Sequence, residues 1–286
     1  MFDGQPRFFS PSSISEALNL LVKFGNHCQI FAGGTWIMRG PIRGELQNKV
    51  LVSLGNIKKL HEISLTSEKL TVGAMVSHQD LAKTVRDISE FNSLHFASAV
   101  SANPSVRSMA TIGGNICTLG FHSPDLIPAL MVLEATLTFQ SKNGIYELSI
   151  DEYLENRLER PFCEILTTIT VPRGVFKSSH RRLLLRQAGE YPVANLSMQC
   201  RLNEEGYVSE VRIAVGSVEE KPKRWRKLEC VMKGKSATKI NIKSLAEQNL
   251  DEFIGRNGPD APGWYRSRVM PRLAMDAFKE VNNENN

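Results

Sequence analysis

The chain has 286 residues, 42% of them apolar and 23% charged, with a formal net charge of +5. That length suits one large domain or two moderate ones, and that composition excludes a chain disordered throughout. No apolar run approaches the ~20 residues that span a bilayer, and the N-terminus has no basic region followed by an apolar one, so the expected location is cytoplasmic.

The predicted elements begin at Ser13-Ile14-Ser15-Glu16, a Ser-x-x-Glu capping box. Ile14, Ala17, Leu18 and Leu21 follow at helical spacing, and Gly25 is the stop. A short strand over Cys28 to Ala32 ends at Gly33-Gly34. Strands are predicted at Lys49 to Leu54 and Lys69 to Gly73, then a helix from Ser77 to Val85 capped by Ser77. A helix over Ser89 to Ala102 is ended by Pro104. Met109 to Asn115 forms a second glycine turn, and a helix runs from Asp125 to Leu133.

Alternation then predicts antiparallel strands at Ala135 to Gln140, Ile145 to Ser149 and Ile165 to Val171. After Pro172-Arg173-Gly174 come three more strands, Arg182 to Gln187, Ala194 to Leu202 and Val208 to Val215. Two helices follow, Ile242 to Ile254 and Gly263 to Val281, joined by a Gly- and Pro-rich loop. A domain boundary is placed near 174. The tail from Val281 to Asn286 is short and polar, and is expected to fray.

The five cysteines, Cys28, Cys117, Cys163, Cys200 and Cys230, are scattered and include no CxxC. They are expected to be reduced thiols, mostly in or near the core, and the chain is expected to carry no iron–sulfur cluster of its own. The basic run Lys221-Pro222-Lys223-Arg224-Trp225-Arg226-Lys227 has no nucleic-acid-binding motif beside it. It is taken as a solvated face, or as a surface for an acidic partner.

A Gly-Gly pair lets backbone N–H groups approach an anion with no side chain in the way. One pair is usually only a tight turn. Here there are two, Ala32-Gly33-Gly34-Thr35 and Thr111-Ile112-Gly113-Gly114-Asn115, each with a hydroxyl or amide suited to phosphate. The Gly-x-Gly-x-x-Gly fingerprint and the Walker loop are both absent. A dinucleotide bound here would therefore not sit on a Rossmann fold.

Ala32-Gly33-Gly34-Thr35 and Ala110-Thr111-Ile112-Gly113-Gly114-Asn115, about 80 residues apart, resemble the two FAD pyrophosphate loops of molybdenum-hydroxylase flavoprotein subunits, the xanthine dehydrogenase and carbon monoxide dehydrogenase type. Leu51-Val52-Ser53-Leu54, Val72-Gly73-Ala74, Pro104-Ser105-Val106-Arg107 and Ser123-Pro124-Asp125 are similar to the family in order, as are Arg186 to Tyr191, Val211 to Gly216 and Tyr265-Arg266. The resemblance implies an α+β fold. A vanillyl-alcohol-oxidase-type FAD-binding domain of two subdomains would occupy residues 1–174. A small α+β C-terminal domain, a three-stranded antiparallel sheet with helices, would occupy 175–286.

It also implies FAD on this chain, a small partner subunit with two [2Fe-2S] clusters and a large one with a molybdenum–pterin centre, assembled as a dimer of heterotrimers. Electrons would pass from the clusters to this FAD and on to NAD, a quinone or oxygen. No catalytic acid or base is expected here. The implied cofactor-binding residues are Ala32, Gly33, Gly34, Thr35, Trp36, Thr111, Ile112, Gly113, Gly114, Asn115, Asp125, Leu166, Arg182 and Tyr191. Tyr191 would cover the isoalloxazine, Leu166 would touch it through backbone, and Arg182 would stand near a family lysine. Trp36 and Ser53 depart from the family pattern, where Asp or Ser and Asp are usual. The competing readings are a stand-alone flavoenzyme of the same fold and a flavin-free basic binding module.

Overall fold

The computed structural model describes residues 7–45, 50–185 and 191–282. Expectations placed on the N-terminal six residues, on Lys49, on 186–190 and on the tail beyond Asn282 lie outside these residues. The chain divides into two compact units, each assembled from separate stretches: Met1–Asp80, Pro104–Leu119 and Ala135–Pro172 make one, and Leu81–Asn103, Gly120–Glu134 and Arg173–Asn286 the other.

The first unit holds two sheets. Strands β1 (Arg7–Phe9), β2 (Cys28–Phe31) and β3 (Val50–Ser53) are parallel, in the order β1-β3-β2. A parallel pair needs a crossover, and helix Ile14–Phe24 provides it. The helix starts as predicted, with Ser13 Oγ accepting from Glu16 N–H at 3.2 Å. The Glu16 carboxylate, however, takes the N–H of Ser12 at 2.9 Å, one residue earlier than in a regular capping box. Gly25 ends the helix at φ 54°, a backbone setting that disfavours a side chain. The apolar face of Ala17, Leu18 and Leu21 packs with Val50, Val52 and Ile165.

The other sheet is antiparallel, in the order β4-β5-β8-β6-β7: β4 (Ile63–Leu65), β5 (Lys69–Gly73), β6 (Thr136–Ser141), β7 (Gly144–Ser149) and β8 (Glu164–Pro172). The predicted strands fall within a residue or so of β6 to β8. β4 escaped prediction because its three residues face largely outward and show no apolar alternation.

In the second unit, β9 (Lys177–Leu183), β10 (Ala194–Leu202), β11 (Val208–Gly216) and a two-residue β12 (Lys223–Arg224) form an antiparallel sheet in the order β12-β11-β10-β9. Short β12 extends the expected three strands to four. Ala194, Leu196, Met198 and Cys200 point from β10 into a core with Met270, Leu273, Ala274, Ala277 and Phe278. β9 begins five residues before its predicted start. Ser178 and His180 on one face and Ser179 on the other are all buried but polar, so an apolar-alternation reading passes them over.

Helix expectations also shift, and Ile242 to Ile254 becomes helix Ile242–Gln248 and a 3-10 turn, Leu250–Glu252. Ser89 to Ala102 divides into a 3-10 turn, Ser89–Phe91, and helix Asn92–Ala99. Pro104 opens a further helix, Pro104–Met109, the position where proline's missing N–H costs nothing. The last helix divides into Gly263–Arg268 and Met270–Asn282. Of the cysteines, Cys28 and Cys200 are buried and Cys163 is half-buried, while Cys117 and Cys230 are exposed. No helix among the described residues is long and apolar enough to cross a membrane.

Candidate functional site

The first glycine loop leaves β2 at Phe31. Gly34 sits at φ 72° and its carbonyl accepts from Met38 N–H at 3.0 Å. Among the described residues, the N–H groups of Gly33, Gly34 and Thr35 make no hydrogen bond. The three residues are half-buried, so this row of free donors at a strand end is open to an anion.

The second loop is built differently. Gly113 and Gly114 do not form a turn but the first turn of helix Ile112–Cys117, capped by Thr111. Its amides are occupied: Ile112 N–H donates to Val76 O at 3.0 Å, Gly113 to Ala74 O at 2.8 Å, Gly114 to Thr111 Oγ1 at 3.1 Å and Asn115 to Thr111 O at 2.9 Å. What this loop still offers is side-chain chemistry. Asn115 Oδ1 is buried with no hydrogen-bond partner among the described residues.

The two loops pack directly on each other. A Cβ on Gly33 would lie 1.8 Å from Met109 O, and one on Gly113 would lie 2.8 Å from Ala74 O, so both glycines exist for close backbone approach. Gly114 is held less tightly, with Thr111 Oγ1 at 2.9 Å and Ala32 Cβ in ordinary contact at 3.8 Å. Trp36 is accounted for within the protein: the Arg43 guanidinium lies 3.9 Å over its ring and donates to its carbonyl at 3.1 Å, while pairing with Glu45. Leu166 is buried in β8 beside an irregularity, where β6 pairs Thr138 with Thr168 but Phe139 with Leu166. Thr167 is the extra residue there. Such a bulge re-aims backbone groups.

The remaining candidates belong to the second unit. Asp125 precedes helix Leu126–Val132 but makes no capping bond to it. Its carboxylate is 3% exposed. Oδ1 accepts from Asn195 Nδ2 at 3.0 Å and faces His180 Nε2 at 3.4 Å, and Oδ2 faces Arg182 Nη2 at 3.4 Å. Arg182 also donates to the Val100 carbonyl, yet its Nε and Nη2 are buried without a hydrogen bond. Tyr191 is 44% exposed and meets Phe121 edge to face at 5.3 Å.

Sequence reasoning missed His180 and Asn195. The only available signal was polar residues at alternate positions of an otherwise apolar strand, as in Ala194-Asn195-Leu196-Ser197-Met198. The basic run proves to be largely neutralised in place: Trp225 is fully buried, and Arg224 forks onto Glu229 at 2.6 and 2.8 Å. His122, in the loop that follows helix Ile112–Cys117, is half-buried and lies 3.2 Å from the Glu220 carboxylate.

Residues 2–174 match the family described as the FAD binding domain in molybdopterin dehydrogenase, and residues 179–281 match the CO dehydrogenase flavoprotein C-terminal domain. The chain is 24% identical to the glyceraldehyde dehydrogenase medium chain of Sulfolobus acidocaldarius over 98% of its own length and 100% of the relative's. It is 23% identical to the xanthine dehydrogenase FAD-binding subunit of Escherichia coli O157:H7, over 98% and 97% of the two chains. The fold superposes on that of carbon monoxide dehydrogenase from Hydrogenophaga pseudoflava with a TM-score of 0.88, at 22% identity and 98% coverage of each chain.

Proposed function

The chain belongs to the family of FAD binding domains of molybdopterin dehydrogenases, and from that premise we propose that it is the FAD-carrying medium subunit of a molybdenum hydroxylase complex. In that role it relays electrons from [2Fe-2S] clusters on a small partner subunit, through FAD, to NAD, a quinone or oxygen. A large molybdenum–pterin subunit performs the hydroxylation, the assembly is a dimer of heterotrimers, and its location is cytoplasmic. The names of the relatives, a medium chain and an FAD-binding subunit, support this. Residues 1–174 and 175–286 are the proposed domains, and the family matches, which end at 174 and resume at 179, support that division.

The carrying observation is the row of unmet N–H groups at Gly33, Gly34 and Thr35, packed against a loop whose Asn115 Oδ1 is equally unmet. These are groups that fit a diphosphate and its ribose. In the proposed arrangement the first loop donates to the diphosphate, with Ala32 and Trp36 flanking it. Thr111 and Asn115 add side-chain contacts, while Ile112, Gly113 and Gly114 set the shape of the second loop. Arg182, Asp125, Leu166 and Tyr191 serve the ring side. Bound FAD supplies a carrier that can be filled one electron at a time and emptied two at a time. The chain's own part is to hold that carrier and tune it.

Acid or heat treatment should release FAD at one per chain, measured by fluorescence against protein concentration; a colourless, folded protein from a flavin-replete host would contradict the proposal. Role is tested by reconstitution. In the full complex, substrate should bleach the flavin absorbance. In the isolated chain the same substrate should not, although dithionite should. Turnover of a small alcohol or an enoyl compound by the isolated chain would replace this reading with a stand-alone flavoenzyme.

A further inference from the structure

Within the first unit, residues Val72 to His78 run from β5 to the second glycine loop as one continuous buried stretch, so their part in any site is indirect. On one side the stretch hangs on the 3-10 turn Lys58–His61 and its exit: Met75 N–H donates to Leu60 O and Gly73 N–H to Glu62 O, both at 2.8 Å. On the other side it holds the second loop. Gly113 N–H donates to Ala74 O at 2.8 Å and Ile112 N–H to Val76 O at 3.0 Å, while His78 N–H donates to Ala110 O at 2.9 Å. Ala74 N–H donates at 3.0 Å to the carbonyl of Thr167, the extra residue in the β8 irregularity. One stretch thus ties together the second loop and the bulge beside Leu166.

The joints along this path have no slack. A Cβ on Gly73 would lie 2.3 Å from Leu60 O and 2.5 Å from Leu60 C, one on Gly113 2.8 Å from Ala74 O, and one on Gly33 1.8 Å from Met109 O. At each joint the obstructing atom belongs to backbone, and a close-packed interior passes a displacement on rather than absorbing it. We infer that Gly73 is a positioning residue for the diphosphate. By letting the Leu60 turn close on the stretch that Gly73 opens, it sets where the second loop stands, and through Met109 it sets where the free N–H groups of Gly33, Gly34 and Thr35 point. This rests on the proposal that the first loop holds the diphosphate of FAD. A methyl group at residue 73 would then weaken ligands that carry the diphosphate, although residue 73 is itself out of a ligand's reach.

The test compares Gly73→Ala with Gly25→Ala in the full chain stripped of flavin, with three readouts: the dissociation constants of FAD and of ADP, and the thermal midpoint. ADP shares the diphosphate and lacks the flavin ring. Gly73→Ala should raise both constants about tenfold, which is about 1.4 kcal/mol of binding. Gly25→Ala should lower the midpoint through its strained backbone and leave both constants within about twofold of wild type. If Gly73→Ala does not fold, Ser77→Ala carries the test, because it removes only the hydroxyl that accepts from Asp80 N–H at 3.0 Å near the far end of the stretch. It should raise both constants about threefold, and Ser77→Thr, which keeps the hydroxyl, should restore them. Unchanged constants in Gly73→Ala, or in Ser77→Ala where it stands in, overturn the inference, as does an equal rise in Gly25→Ala at a similar midpoint. A wild-type chain that binds neither FAD nor ADP overturns the proposal beneath it as well.

Discussion

Replacing Gly33 with valine should leave a chain that retains less than a tenth of the wild-type flavin. The reason is contact between backbones rather than loss of flexibility. A Cβ at this position falls 1.8 Å from Met109 O and 2.7 Å from Met109 C, and backbone cannot swing aside as a side-chain tip can. Overpacking of this kind costs about 1–3 kcal/mol, and here it is taken up by separating the two loops. Alanine should act in the same direction, because the first carbon already collides. Gly114→Ala should be milder, since the one tight contact is with the Thr111 hydroxyl, a side-chain atom rather than backbone.

Gly25→Ala is the control. It strains a backbone at φ 54°, where the nearest atom to a Cβ is a ring carbon of Phe162 at 4.0 Å. It should cost about 1–3 kcal/mol of stability and leave flavin content intact. The measurement is the flavin-to-protein absorbance ratio beside the thermal midpoint. Equal flavin loss at Gly25 and Gly33 would show that general unfolding, not the loop contact, governs retention.

Arg266→Ala should destabilise the second unit by about 3–5 kcal/mol, the range for breaking a buried charged group away from its partners. Arg266 is fully buried. It donates to Val193 O at 2.7 Å, Ser217 O at 3.2 Å and Asp260 Oδ2 at 2.7 Å. Ser217 is a non-glycine residue at φ 66°, so its strained turn loses a clamp as well. Arg266→Lys should rescue little, because one ammonium cannot reproduce a planar fork aimed at separate acceptors.

A pH dependence accompanies this pair. Burial pushes the Asp260 carboxyl up, but the Arg266 hydrogen bond, a backbone hydrogen bond and the nearby guanidinium charges outweigh it and hold the group below its ordinary value of 3.8. The stabilisation from this ionisation is present above that ordinary value and is lost as pH falls through the lower folded value. Urea unfolding of wild type and Asp260→Asn should therefore differ at neutral pH and converge in strong acid. A difference that grows on acidification would refute the assignment, and an Arg266→Ala midpoint near wild type would refute the clamp.

Local signals were legible where local chemistry decides the outcome. Ser13 and Gly25 bracket a helix because a hydroxyl meets a free N–H at one end and a positive φ is needed at the other. β6 to β8 followed from alternation. The glycine pairs were locatable, yet their difference in kind was not. Whether an amide is free or already bonded to Val76 or Ala74 depends on strands that meet it from elsewhere in the chain. The polar layer on β9 and β10 was hidden for a related reason, since Ser178 finds its partner at Glu90, Asn195 at Asp125, and His180 and Ser197 each other across strands. Trp36 has its answer seven residues on, in Arg43. That pairing needs two successive 3-10 turns, which no periodicity announces.

The interleaving of the two units also sets a timetable for synthesis. All strands of the first unit have been made once Pro172 is added. Helix Asn92–Ala99, by contrast, donates a hydrogen bond to β9, from Ser93 N–H to Ser178 Oγ, and β9 is made about 80 residues later, which is ~4–16 s of translation at 5–20 residues per second. For that interval the nascent chain carries Leu94 and Ala97, and then Leu126, Ile127 and Leu130, all destined to be buried, with no sheet to receive them. A ribosome halted near Pro172 would thus display two apolar helices, a natural target for a chaperone acting during elongation.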